Sequence, residues 1–103
     1  MAHLGFPWKR VTQDERVVTG ALVFAGLILT ADGVGTADVT IYDGNDAGGH
    51  QLGTFRAAVS TTEVIGLPAL LHFSQGLFVD IGSNVEECVV VYAPLVPSDL
   101  AEA

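Results

Sequence analysis

The chain has 103 residues, 50% of them hydrophobic and 16% charged, with a formal net charge of −8. That length suits one domain with its own core, and the acid excess argues against nucleic acid as a partner of the body, because phosphate binding needs clustered Lys and Arg. A single cysteine, Cys88, excludes an internal disulfide framework.

The charged fraction is well below the globular norm of about 25%, so part of the apolar surplus is expected in subunit interfaces. The first 16 residues, MAHLGFPWKRVTQDER, match neither strand alternation nor a helix and read as an extended N-terminal arm. They hold three of the four cations and the only Trp, and carry +1 against −9 for the rest of the chain. Exposed aromatics seek burial, and Trp and Arg are favoured at interfaces. Phe6, Trp8, Lys9, Arg10 and Arg16 are therefore predicted to form an assembly interface. The arm is expected to dock on a neighbouring subunit, ahead of folding onto its own body or staying flexible.

Residues 17–31, VVTGALVFAGLILTA, are almost wholly apolar. A membrane-spanning helix needs about 18–20 such residues, and this run is shorter and broken by Gly20 and Gly26. A signal peptide would place Asp14 and Glu15 in its basic segment. Over residues 17–29 the run predicts a strand, or a bent pair, covered on both faces, with a bulge or bend at Gly20 or Gly26.

Residues 31–35, ADGVG, read as a turn, with Asp-Gly supplying positive φ. ADVTIYD at 37–43 alternates as a half-buried strand. Residues 44–49 read as a loop, and 50–59 as a strand that closes a hairpin with 37–43. Residues 60–68 read as a connection, because Pro68 cannot donate within a ladder and is expected to begin the strand PALLHF. Ser74-Gln75-Gly76 is a turn, GLFVDIG at 76–82 a strand, Ser83-Asn84 a turn, and 86–93 a strand completing a hairpin. Residues 94–103 read as an extended tail. The sum is an all-β domain over 17–93, an antiparallel sandwich or small barrel, jelly-roll or Greek-key-like, of roughly six to eight strands.

Candidate chemistry is sparse. In DGNDAGG at 43–49, Asp43, Asn45 and Asp46 could offer oxygens to Ca²⁺, but an EF-hand needs a longer series ending in Glu, and a solvated hairpin loop has the same composition. His3, His50 and His72 show no metal-ligand spacing. Glu86 and Glu87 point to opposite faces of a strand, which is poor geometry for a glycosidase pair. The pieces GVG and AGG lack the context and the Lys of a phosphate loop. Cys88, within ECVVVYA, reads as a buried structural thiol. No catalytic residue, cofactor or metal is predicted, and a non-enzymatic role is expected.

The series TADGVGTADVTIYDG…GTFRA, then GLFVDIG and VVVYA, resembles a class of small virion proteins of tailed bacteriophages, over about residues 17–93. Asp32, Asp43, Gly76 and Asp80 match its course, and Phe78 stands where Tyr is common. The resemblance lies in strands and turns and carries no catalytic fingerprint. It implies a β-sandwich subunit of the virion, assembled in the host cytoplasm. A capsid decoration or cement protein is expected first, bridging major capsid proteins and self-associating as a homo-oligomer, with a trimer favoured and no nucleic-acid or membrane partner. A tail or neck component is the first alternative. A carbohydrate- or calcium-binding module, using loop 43–49 with Tyr42 or Tyr92, is the second. The arm lies outside the resemblance.

Overall fold

The computed structural model describes residues 7–95; Phe6 of the expected interface, His3 and residues 96–103 of the expected tail lie outside the described residues. Eight strands follow in order: β1 (Trp8–Val11), β2 (Glu15–Thr19), β3 (Leu22–Ala31), β4 (Ala37–Asp43), β5 (His50–Ala57), β6 (Thr62–Phe73), β7 (Gly76–Ile81) and β8 (Val85–Pro94). They form two separate four-stranded sheets, β1-β8-β3-β6 and β2-β7-β4-β5. Every neighbouring pair is antiparallel. The all-β antiparallel sandwich is thus the observed class, without closure into one barrel.

The core is the layer between the sheets. Leu22, Phe24, Leu27 and Leu29 of β3 face Val39 and Ile41 of β4 and Leu77 and Val79 of β7, with Val11, Cys88 and Val90 closing the side. Phe24 and Phe73 stack with ring centroids 5.5 Å apart. No polar or charged side chain is buried among the described residues. Burial of that layer, at about 25 cal/mol per Å² of apolar surface, drives the sheets together.

Several expectations need correction. Residues 8–16 are not an arm detached from the body. Trp8–Val11 pairs along β8, and Val11 is fully buried opposite Cys88. The expected boundary at residue 17 falls inside β2, whose Glu15 and Arg16 pair with Val79 and Phe78 of β7. β1 escapes pattern reading because it is a four-residue edge strand with three exposed positions. The expected hairpin of 76–82 with 86–93 is also absent: β7 and β8 lie in different sheets. Here Asn84 takes φ 59°, and its carbonyl accepts the Asp32 N–H. The turn at 31–35 uses no positive φ at Gly33; the Asp32 carboxylate instead accepts the N–H groups of Val34 and Gly35, at 2.8 and 3.2 Å.

The expected strand break falls at Gly20, which takes φ +96° between β2 and β3 and donates to the Gln75 carbonyl. The expected bulge is at Gly26, where β3 shifts register against both neighbours. Opposite that bulge β6 runs from Gly66 to Leu71 while β3 advances only from Gly26 to Phe24. Residues 67–70 therefore protrude, and Pro68 sits mid-strand where it needs no ladder partner. Pro68 is tolerated because β6 is an edge strand.

Gly26 has φ +150°, and a Cβ there would collide with the carbonyl oxygen of Ile65. Gly26→Ala is expected to destabilise the fold by roughly 2–3 kcal/mol in urea unfolding. Gly66→Ala, where a Cβ meets open space, is expected to stay within about 0.5 kcal/mol.

Candidate assembly interface

The five residues predicted for an interface do not form one patch. Trp8 pairs with Val91, and Arg10 with Val89, so both belong to the outer face of the first sheet. Trp8 is 67% exposed. Arg10 donates from Nε to Glu87 Oε1 at 2.8 Å. Lys9 alternates away from that face and meets Glu15 of β2 at 2.9 Å, tying the edges of the two sheets together. The Glu15 hydrogen bond and charge hold the Lys9 ammonium pKa above its ordinary value. Arg16 is exposed on the second sheet, opposite Phe78.

Composition did not point to the face on which Trp8 and Arg10 stand. Alternation along β3 and β8 turns Val23, Ile28 and Thr30, and Glu87, Val89, Val91 and Ala93, away from the core. Their register makes rows across the sheet. One runs Trp8–Val91–Gly26–Gly66 and the next Arg10–Val89–Ile28–Val64. Flanking rows are Ala93–Val23–His72 and Glu87–Thr30–Thr62. Val64 is 73% exposed. The available signal was the unbroken apolar character of β3 and of VVVYA in β8, which marks strands covered on both faces. Within one chain only one of those faces is covered.

The outer face of the second sheet is polar. The rings of Tyr42 and Phe78 pack tilted with centroids 6.2 Å apart, and the hydroxyls of Thr40 and Thr54 lie 2.9 Å apart. Asp80 stands near Asp14 and Asp38. Partial burial first, then the charge and hydrogen bond of Asp14, then the charge of Asp38, raise its carboxyl pKa. Asp14 accepts the Ile81 N–H at 2.8 Å and Asp38 the Ser83 N–H at 2.7 Å, so both hold the end of β7.

A cleft of about 360 Å³ opens at the edge between the sheets, lined by Asp43, His50, Leu52, Leu71, His72 and Phe73 among others. Loop 43–49 borders it, but its carboxylates are engaged locally. Asp43 accepts the N–H groups of Ser74, Gln75 and Gly76 at 3.1, 2.9 and 3.4 Å, and Asp46 accepts that of Gly48 at 2.8 Å. Among the described residues no group of three or more His, Cys, Asp or Glu is placed to hold a metal ion. Cys88 is buried as expected, and burial pushes its thiol up to about 12, far from a nucleophile's range. No helix among the described residues is long and apolar enough to cross a membrane.

No family model, curated protein or solved structure matches this chain.

Partial burial pushes the Asp43 carboxyl up, but the hydrogen bonds from Gln75, Ser74 and Gly76 outweigh it, and the net shift is downward from 3.8. A depressed carboxyl contributes stability above its unfolded pKa and loses it as pH falls through the folded value. Asp43→Ala is expected to cost about 1–2 kcal/mol at pH 7, and the gap to the parent protein to close below about pH 4, read by urea unfolding across pH.

Proposed function

We propose that this chain is a non-enzymatic structural subunit of a phage virion, a capsid decoration or cement protein that stabilises the head by bridging major capsid proteins. The observation that carries the reading is the strand order. β1 pairs with β8, β3 with β6, β2 with β7 and β4 with β5, with β8 beside β3 and β7 beside β4. That is the course of one long hairpin rolled into a sandwich, the jelly roll, an architecture of viral capsid and lectin domains. Fold alone does not give function. The likeness of GLFVDIG and its flanking strands to small virion proteins, and an outer sheet face whose apolar side chains are exposed at Trp8 and Val64 and half-buried between them, support the virion over the lectin.

The mechanism needs no reacting group. A subunit that binds the assembled shell and not its dissociated parts stabilises the shell by mass action. Binding energy comes from apolar area buried in assembly, and the outer face of the first sheet supplies part of it, with Trp8 as an aromatic anchor beside Arg10, a residue pair favoured at hot spots. A tail or neck position uses the same surface chemistry and differs in copy number per particle.

Removing the first 12 residues would be a poor test, because it removes β1 and the buried Val11. Trp8→Ser leaves the ladder intact. Added to particles lacking the protein, the parent chain is expected to bind and raise the temperature of head disruption. Trp8→Ser is expected to occupy at least about tenfold fewer sites at equal concentration. Equal occupancy by both proteins would refute the role of this face, and no binding by the parent would refute the virion reading.

A second reading draws on the cleft beside loop 43–49, whose Asp43, His50 and Phe73 offer a polar and aromatic lining. A calcium- or carbohydrate-binding module would raise its melting temperature on titration with Ca²⁺ or sugars. With Asp43 and Asp46 already bonded to backbone N–H groups, no shift with Ca²⁺ is expected.

A further inference from the structure

We infer that the outer face of the first sheet is the seat of a second copy of this chain, packed sheet on sheet about a twofold axis that runs along the strands between β8 and β3. The inference rests on the reading that this face is buried in assembly and names what covers it.

Three observations converge on that occupant. The first is charge. The chain carries a net −8, so two copies repel except where the contact is nearly neutral. The carboxylates Asp14, Asp38, Asp43 and Asp80 belong to the second sheet or its turns. On the outer face of the first, the charged side chains are Arg10 and Glu87, which pair with each other at 2.8 Å. His72 lies at one end of the face, and Glu63 and Glu86 flank it.

The second is shape. In the row Trp8–Val91–Gly26–Gly66, the edge at β1 carries the largest side chain of the protein and the two strands at the other side carry none. A twofold axis along the strands maps each row onto itself in reverse. Trp8 of one copy then sits over Gly66 and Gly26 of the other, and Val91 fills the remaining space. In the next row Val89 meets Ile28, and the aliphatic stem of Arg10 lies over Val64. A knob and its notch on one patch, related by reversal, is the signature of an isologous contact. The inferred assembly is therefore a dimer, where the sequence reading favours a trimer.

The third is area. Three strands at about 4.8 Å spacing, over the seven steps from Val23 to Thr30 at about 3.3 Å each, with the four-residue β1 beside them, span roughly 400 Å² in projection. Two such faces with their side-chain relief come to the order of 1,000 Å², the threshold for a specific interface. Sheets packed this way lie about 10 Å apart with strands some 30° askew, as in the sandwich itself. The doubly apolar character of β3 and β8 is then accounted for, since each strand is covered on one face by its own second sheet and on the other by the partner.

The test uses the intact purified chain in analytical ultracentrifugation. The parent protein is expected to sediment at twice the 10.7 kDa chain mass at tens of micromolar. Gly66→Lys fills the notch without touching the fold, because a Cβ there meets open space. It is expected to sediment as monomer, and to melt with the parent at concentrations low enough for the parent to be monomeric too. Gly53→Lys, equally open but on β5 of the other sheet, is expected to remain dimeric. Trp8→Ser is expected to weaken the dimer at least about tenfold. A monomeric or trimeric parent, or a dimer untouched by Gly66→Lys, overturns the inference. A monomeric parent whose Trp8→Ser variant still loses particle occupancy would leave the assembly face with the capsid as its occupant. A dimer that binds no particle would retain the inference and sink the virion reading.

Discussion

The structure depends on one dry layer. Inward side chains of β3 and β8 meet those of β4 and β7, and among the described residues no polar side chain is buried with them. Such a layer fixes register, because a one-residue slip in any strand would turn its apolar set outward. It also explains the bulge at Gly26. β3 is long and must keep both Phe24 and Leu27 inward although they are three residues apart, so one residue has to be accommodated out of phase. The protrusion of β6 at residues 67–70 answers the same bulge from the next strand.

Around that layer the two outer faces diverge. The second sheet shows a conventional solvated surface of Thr, Tyr and carboxylates, with Asp14, Asp38 and Asp43 committed to backbone N–H groups at strand ends. The first sheet shows Val, Ile and Trp. The asymmetry lies between faces rather than between a basic leader and an acidic body. The leader's cations are shared out: Lys9 ties the sheet edges, Arg10 neutralises Glu87, and Arg16 lies on the opposite sheet.

Much of the fold was legible from alternation and turn chemistry. ADVTIYD, the hairpin to HQLGTFRA, the break at Gly20 and the turn at Asn84 follow from local rules. What escaped is non-local. Whether β7 and β8 make a hairpin or cross between sheets depends on which partners bury Leu77 and Cys88, and the turn residues are compatible with both. β1 has only Val11 to declare it, and its strand character comes from the waiting edge of β8. By pattern Pro68 marks a strand start, yet β6 begins at Thr62, because an edge strand tolerates a proline that an interior strand would not. For the interface, the aromatic and cationic residue types gave Trp8 and Arg10. The valines beside them were hidden, because a strand apolar on both sides looks the same whether its second cover is its own chain or another.

The pairing of β1 with β8 shapes how the chain reaches this state. The Arg10–Glu87 contact spans 77 residues, nearly the whole described chain. Only β4 and β5 are joined by a short loop within one sheet, so the local nucleus is that hairpin, and the pairs β3–β6, β2–β7 and β1–β8 close loops of increasing length around it. Loop-closure entropy makes such a topology slow to fold. On the ribosome β1 emerges ahead of the other seven described strands and is paired last among them, since its ladder partner is β8. Through synthesis its open edge and Trp8 stay unpaired, while Lys9 and Arg10 keep that waiting segment charged, the usual protection of a strand edge against premature partners.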